Sequence, residues 1–235
     1  MNKKLRNHLG SDWYSILSEV FKQDGVRALQ KFVNERRNGF NSYVYPAKED
    51  VFKAFRLCPF SDVRVVILGQ EPYNAPNVAN GLAFSSMDTM LAPPSLQTLF
   101  LEIENTMYDG LKLSQSPDLT RWANQGVFLL NSILTVERNQ PLSHANKGWE
   151  DFTGLVLDLL VEDIEPKVFM LWGKKAQSTY DSIVKDRLDD SKHLILRASH
   201  PASQGYLNDA DFLGCNHFAK ANAFLKANHE FEIIW

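Results

Sequence analysis

Four short apolar runs punctuate the chain, at Val63–Leu68, Val127–Leu130, Lys167–Trp172 and Leu194–Arg197. Each is too short for a globular helix and is bounded by polar or turn-forming residues, so each predicts a buried strand. Between and after them, apolar residues recur at helical spacing, which predicts helices near 94–107, 149–162, 174–187 and 214–227. Upstream, Trp13, Leu17, Val20, Phe21, Ala28, Leu29, Phe32 and Val33 predict two helices across residues 12–37, with Asp24-Gly25 as the break between them. Tyr43–Pro46 predicts an extended connection, and a helix is expected near Lys48–Phe55. Strand alternating with helix implies an α/β fold, a central four-stranded parallel sheet flanked by helices on both faces. A single domain over residues 1–235 is expected, since no repeat or linker interrupts the pattern.

The endings of the four runs carry the chemistry. The first closes at Gly69-Gln70-Glu71-Pro72-Tyr73-Asn74, the second at Asn131, the third at Trp172-Gly173-Lys174 and the fourth at Ala198-Ser199-His200-Pro201. In an open parallel sheet, all the carboxyl ends lie along one edge, and ligands bind there. That edge would collect an acid, an aromatic ring, an amide, a lysine and a histidine. Taken singly, each has an ordinary structural role; together they predict a functional cleft.

Composition narrows the class of partner. The net charge is −3, so a nucleic acid would have to be met by a local basic patch, not by a global field. Cys58 and Cys215 have no metal-type spacing and predict free thiols in a reducing compartment. No apolar stretch approaches the roughly 20 residues that span a bilayer. The basic N-terminus lacks the apolar segment of a signal peptide. A soluble intracellular protein is expected, cytoplasmic or, in a eukaryote, nuclear.

The sequence lacks paired carboxylates at hydrolase spacing, a glycine-rich phosphate loop and a serine nucleophile elbow. Glu71 and His200 have no further His or Cys nearby to complete a metal site, so no metal and no organic cofactor is expected. What remains is one acid, one histidine, one carboxamide and aromatic rings. A carboxamide presents a donor and an acceptor in fixed geometry, the complement of a pyrimidine edge. Phe84, within Gly81-Leu82-Ala83-Phe84-Ser85, suits either base stacking or core packing. Ala92-Pro93-Pro94-Ser95-Leu96 suits either a phosphate held at a helix start or a plain cap.

With these motifs in place, the chain resembles the family-1 uracil-DNA glycosylases from end to end. The resemblance rests on Gly69–Asn74 (family pattern GQDPYH), Asn77–Ser85 (NVANGLAFS), Pro93-Pro94-Ser95-Leu96 and Leu129-Leu130-Asn131-Ser132. It continues through Leu134–Glu137, Gly148–Thr153, Leu171-Trp172-Gly173 with Ala176-Gln177, His200-Pro201 and Phe212–Asn222. It implies excision of uracil from DNA by base flipping. The catalytic pair would be Glu71, which positions water, and His200, which stabilises the departing base. Gln70, Tyr73, Phe84 and Asn131 would form the uracil pocket, with Tyr73 excluding thymine and Asn131 separating uracil from cytosine. Pro93, Ser95, Lys174, Ser203, Gln204 and Tyr206 would meet the DNA. Uracil-containing DNA, single- or double-stranded, is the implied partner, a proteinaceous inhibitor a second, and the chain is expected to be a monomer without membrane contact.

Four departures from the family pattern bear on function. Glu71 stands for Asp and Asn74 for His in the first motif. In the last, the family's HPSPLS reads His200-Pro201-Ala202-Ser203-Gln204-Gly205, so Gln204 replaces the apolar wedge and Ala202 a phosphate-binding serine. Tyr206 or Leu207 could serve as the wedge in a longer loop, or Tyr206 is merely an exposed aromatic. Lys174-Lys175 follow Trp-Gly, either as phosphate contacts or as a solvated helix start. These changes leave a second expectation open: a DNA-binding relative with weak or no activity in a scaffold or replication role.

Overall fold

The computed structural model describes residues 3–41, 43–87, 91–185, 192–203 and 212–235. Helices α1 (Lys3–Leu9), α2 (Ser11–Leu17) and α3 (Asp24–Arg37) lead to the short strand β1 (Val44–Tyr45) and helix α4 (Lys53–Leu57). The alternating part follows: β2 (Val65–Gly69), α5 (Pro94–Met107), α6 (Thr120–Ala123), β3 (Val127–Asn131), β4 (Val136–Glu137), α7 (Trp149–Glu162), β5 (Val168–Trp172), α8 (Lys174–Val184), β6 (Leu194–Ala198) and α9 (His217–His229). The four apolar runs pair in parallel in the order β3-β2-β5-β6, while β1 and β4 form a separate antiparallel pair.

Register levels the strand ends. Gly69 lies opposite Asn131, Leu68 opposite Leu171, and Trp172 opposite Ala198. The residues that follow these positions therefore emerge along a single edge, as the expected fold requires. Every residue of β2, β3 and β5 is buried, which explains why these strands read as continuous apolar runs and not as alternating ones. Side-chain alternation shows what covers the two faces. Phe169 meets Tyr180 of α8 at 5.1 Å, whereas Trp172, on the opposite face of β5, meets Phe218 of α9 at 6.0 Å.

At the β3 edge, fully buried Trp13 stacks on Phe128 at 5.2 Å and meets Phe55 edge-on at 5.2 Å. Its indole N–H donates to the Cys58 carbonyl at 2.8 Å, so the ring is buried with its one polar atom satisfied. Each such aromatic pair adds about 0.5–1.5 kcal/mol beyond the area it buries.

Some boundaries differ from the expected ones. The helical break lies at Ser18–Gln23, where Val20–Lys22 make a single 3-10 turn, and Asp24-Gly25 open α3 instead of interrupting it. An acid suits that place, beside the unpaired N–H groups of a first turn. The helix α9 starts at His217 because the preceding backbone is captured by a buried acid. The Glu102 carboxylate accepts the N–H groups of Gly214 at 2.6 Å and Asn216 at 2.9 Å.

Candidate active site

The strand ends are shaped by what a missing side chain permits. The Gly69 carbonyl accepts the Ser132 N–H at 3.0 Å, and the Gln70 carbonyl accepts the Ile133 N–H at 2.9 Å. The backbone past β2 and β3 therefore stays side by side for another residue. A Cβ on Gly69 would lie 2.3 Å from Asn131 Oδ1 and 3.0 Å from Ala83 Cβ, so only glycine lets the Asn131 amide occupy this place. Asn131 itself is 5% exposed.

Above these ends lies a cavity of about 300 Å³. It is lined by Gln70, Glu71, Tyr73, Phe84, Asn131 and His200, all six of the expected catalytic and base-binding residues. Ser95, Asn74 and Pro141 complete much of the remaining wall. A second cavity, of about 250 Å³ and lined by residues such as Leu5, Phe21, Val33, Arg37 and Trp149, shares no residue with the strand ends.

Phe84 is held in an uncommon backbone conformation, φ +62°, which bulky residues rarely adopt. The surrounding loop enforces it. The Ala83 N–H donates to the Leu129 carbonyl at 3.0 Å, and the buried Asn80 amide donates to Ser85 Oγ at 2.8 Å and the Ser86 carbonyl at 3.0 Å. The Phe84 ring packs edge-on against Trp172 at 5.3 Å and lies 5.8 Å from the His200 ring. It is therefore both a core residue and a wall of the cavity. Tyr73 is fixed at its far end, its hydroxyl 3.2 Å from the Phe84 carbonyl and 2.9 Å from Ser95 Oγ. Burial pushes the Tyr73 hydroxyl above the ordinary phenol range, while the Ser95 bond pulls it back.

The two titratable groups with expected catalytic roles are tuned differently. Burial holds His200 below the ordinary imidazole range, favouring the neutral ring. The Ala202 N–H donates to His200 Nδ1 at 3.1 Å, so in the neutral ring Nε2 carries the proton and can donate. Close approach of Gly173 seats this ring, since a Cβ there would lie 3.0 Å from His200 Cβ. Burial raises Glu71 above the ordinary carboxylate range, and a hydrogen bond from the Leu142 N–H to Oε2, at 2.8 Å, opposes that shift.

The expected DNA contacts are dispersed around this cavity. Pro93 precedes the first turn of α5, with Pro94 at the helix start and Ser95 buried against Tyr73. Lys174 and Lys175 line a smaller cavity of about 180 Å³, which shares Gly69, Gln70 and His200 with the larger one. Ser203 sits in the turn after His200, its N–H donating to the His200 carbonyl at 2.8 Å. Gln204, Tyr206 and Leu207 lie outside the described residues. Among the described residues no three His, Cys, Asp or Glu side chains converge in the way a metal site needs.

Two contributors to the site were not read from the sequence. Gly69 stood in plain view as a strand terminator, but its need to lack a Cβ depends on the partner strand's register. The Leu142 N–H is a backbone group, and no residue type announces it.

The fold and site define an α/β enzyme with an acid, a protonated imidazole nitrogen and carboxamides gathered at the carboxyl edge of a parallel sheet. Comparison with known proteins makes the class specific. A family model for the uracil DNA glycosylase superfamily matches residues 55–226. The uracil-DNA glycosylase of Acinetobacter baylyi is 41% identical over 234 residues, covering 100% of this chain and 95% of that protein. That of Bacteroides thetaiotaomicron is 43% identical over 223 residues, covering 95% of this chain and 96% of its own. Among solved structures, mimivirus uracil-DNA glycosylase superposes with a TM-score of 0.84 at 26% identity, covering 99% of this chain and 89% of that one. A mimivirus UNG variant in complex with UGI also superposes with a TM-score of 0.84 at 26% identity, covering 100% and 91%. The chain belongs to the uracil DNA glycosylase superfamily.

Proposed function

We propose that this protein is a DNA repair glycosylase that flips uracil out of DNA and hydrolyses its N-glycosidic bond, leaving an abasic site. The observation that carries the reading is the convergence of Gln70, Tyr73, Phe84, Asn131 and His200 on the cavity that also contains Glu71. Phe84 offers a flat face for the base, and the Asn131 and Gln70 amides offer paired donors and acceptors for its edge. As the bond between N1 and the sugar C1′ breaks, its electron pair passes to the uracil ring. Charge accumulates on a carbonyl oxygen there, and the neutral His200 Nε2–H is suited to stabilise it. Water, positioned by Glu71, adds to C1′, whose cationic character the carboxylate's charge favours. The proton the water releases passes to the Glu71 carboxylate, and the departing uracil anion takes up a proton from solvent.

The second reading is a DNA-binding relative without appreciable activity. Glu71 in place of the family's Asp and Gln204 in place of its apolar wedge favour it, because each departs from the residue the chemistry would ordinarily use. Against it stands the neutral, donor-ready His200, which a scaffold has no use for. Single-turnover release of uracil from a uracil-containing oligonucleotide separates the two. The parent should exceed Glu71→Gln by about 10²-fold or more; release no faster than the variant's would sink the enzyme reading.

Pro93, Ser95, Lys174 and Ser203 are proposed to hold phosphates around the flipped nucleotide, with Gln204 or Tyr206 supporting the gap it leaves. Uracil-containing DNA is the proposed partner, and the mimivirus UNG–UGI complex supports a proteinaceous inhibitor as another. A monomer organised as a single domain is proposed. No helix among the described residues is long and apolar enough to cross a membrane, and a soluble intracellular setting is proposed.

A further inference from the structure

The segment after β4 carries three non-glycine residues in the left-handed region, Asn139 (φ +57°), Leu142 (φ +59°) and Asn146 (φ +55°). Asparagine tolerates that region through its short polar side chain, but leucine does so rarely. Leu142 is not a core residue, being 46% exposed. Its conformation does aim its backbone N–H at Glu71 Oε2, 2.8 Å away. The neighbouring Pro141 lines the cavity.

The turn is braced on both sides. The Asn139 N–H donates to the Asn74 carbonyl at 3.0 Å, so residues 139–142 hold the Glu71–Asn74 loop near each of its ends. The Glu137 N–H donates to Ser143 Oγ at 2.8 Å, and the Ala145 N–H donates to the Leu142 carbonyl at 2.9 Å, fixing the turn to β4 and to its own continuation. Uncommon backbone conformations persist where surrounding structure over-determines them, and they cluster at functional sites.

We propose that the Pro141–Leu142 turn is the positioning element that lets a glutamate do the work of the family's aspartate. The Leu142 N–H holds Oε2, which fixes the longer side chain and leaves Oε1 to orient the attacking water. Among the described residues, Oε1 has no hydrogen-bond partner in the protein. An aspartate carboxylate would be set back by about one C–C bond, ~1.5 Å, out of reach of this N–H. The contact is thus matched to glutamate. The other titratable groups lining the cavity are Tyr73 and His200. The inference rests on the glycosylase reading for its kinetic part but not for the contact itself.

The test replaces the 142 backbone N–H by oxygen, using the α-hydroxy analogue of leucine at that position, in the parent and in Glu71→Asp. Single-turnover uracil release in the parent should fall by about 10- to 100-fold, with affinity for a non-cleavable uracil duplex changed less than about 2-fold. The acid limb of its pH–rate profile should move to higher pH, because the lost N–H no longer favours the carboxylate. In Glu71→Asp the same ester should change the rate by less than about 2-fold. Equal losses in both backgrounds, or none in the parent, would overturn the proposal. The Leu142 amide resonance supplies a readout that needs no activity: it should titrate with a midpoint that vanishes in Glu71→Gln. A pH-independent amide would overturn the contact even in a protein that releases no uracil. If the amide titrates and the parent shows no release, the glycosylase reading and the kinetic role fall together while the contact stands.

Discussion

A Cβ added to Gly69 would lie 2.3 Å from the Asn131 side-chain oxygen, in a register that sets the two residues opposite each other across β2 and β3. The amide proposed to read the base and the strand end that begins the Glu71 loop are therefore mutually dependent. Gly69→Ala must displace Asn131, since the methyl also meets Ala83 Cβ at 3.0 Å and cannot turn away. Overpacking of this kind costs about 1–3 kcal/mol, which a chain of this size should survive. Uracil release should fall by about 10²-fold while circular dichroism stays native. An active, cooperatively folded Gly69→Ala variant would show that Asn131 has room the structure does not give it.

Asn131 is nearly fully buried and lines the cavity with Gln70, where its amide is proposed to offer both a donor and an acceptor to the base edge. Asn131→Asp keeps the shape and loses the donor. Release of uracil should drop by about 100-fold or more, and the margin by which uracil exceeds cytosine should shrink. Competition between uracil- and cytosine-containing oligonucleotides measures that margin. An unchanged margin would mean that some other group reads the base.

Tyr73 offers a finer dissection, because its hydroxyl and its ring do separable things. The hydroxyl bridges the Phe84 carbonyl and Ser95, each bond worth about 0.5–1.5 kcal/mol net. Tyr73→Phe should therefore slow uracil release by less than about 10-fold and still reject thymine, since the ring remains. Tyr73→Ala removes the wall and should release thymine from DNA at a measurable rate. Continued rejection of thymine by Tyr73→Ala would remove the ring from its assigned role.

How much of this was legible in the chain depended on whether the determinant was local. The strands were legible because β2, β3 and β5 are buried on both faces, and that burial writes itself as unbroken apolar runs. Their polar endings then fell on one edge by topology alone. Asp24-Gly25 is ambiguous, because a Gly beside an acid marks a turn and a helix start equally well; the structure uses it for the latter. Phe84 could not be assigned between core and cavity because it serves both, touching Trp172 on one side and lining the pocket on the other. Leu142 was invisible for a different reason. Its contribution is an N–H aimed by a left-handed turn, and only the path of residues 139–146 relative to Glu71 reveals it.

Acid sensitivity should come partly from a residue outside the cavity. The Trp172 indole N–H donates to His217 Nδ1 at 3.0 Å, with both side chains buried, and this bond ties the end of β5 to the start of α9. A protonated ring could not accept it. Burial, aided by Lys220 and opposed by the Arg197 backbone, brings His217 down to about 4. An unfolded-state histidine titrates near 6.5. Above that value neither state binds the proton and the group has no effect on stability. As the pH falls from about 6.5 to about 4, the unfolded chain takes up a proton that the native state refuses, so stability declines across this window, by about 3 kcal/mol in full. His217→Gln keeps an acceptor for Trp172 and removes the titration. Urea unfolding at pH 7.5 and 4.5 should show a larger acid loss in the parent than in His217→Gln, the difference being about 2–3 kcal/mol. Other histidines and carboxylates contribute equally to both proteins and cancel in that difference. Parallel pH dependences would mean that the native His217 ring takes up its proton as readily as the unfolded chain does, which would put the Trp172 bond in doubt.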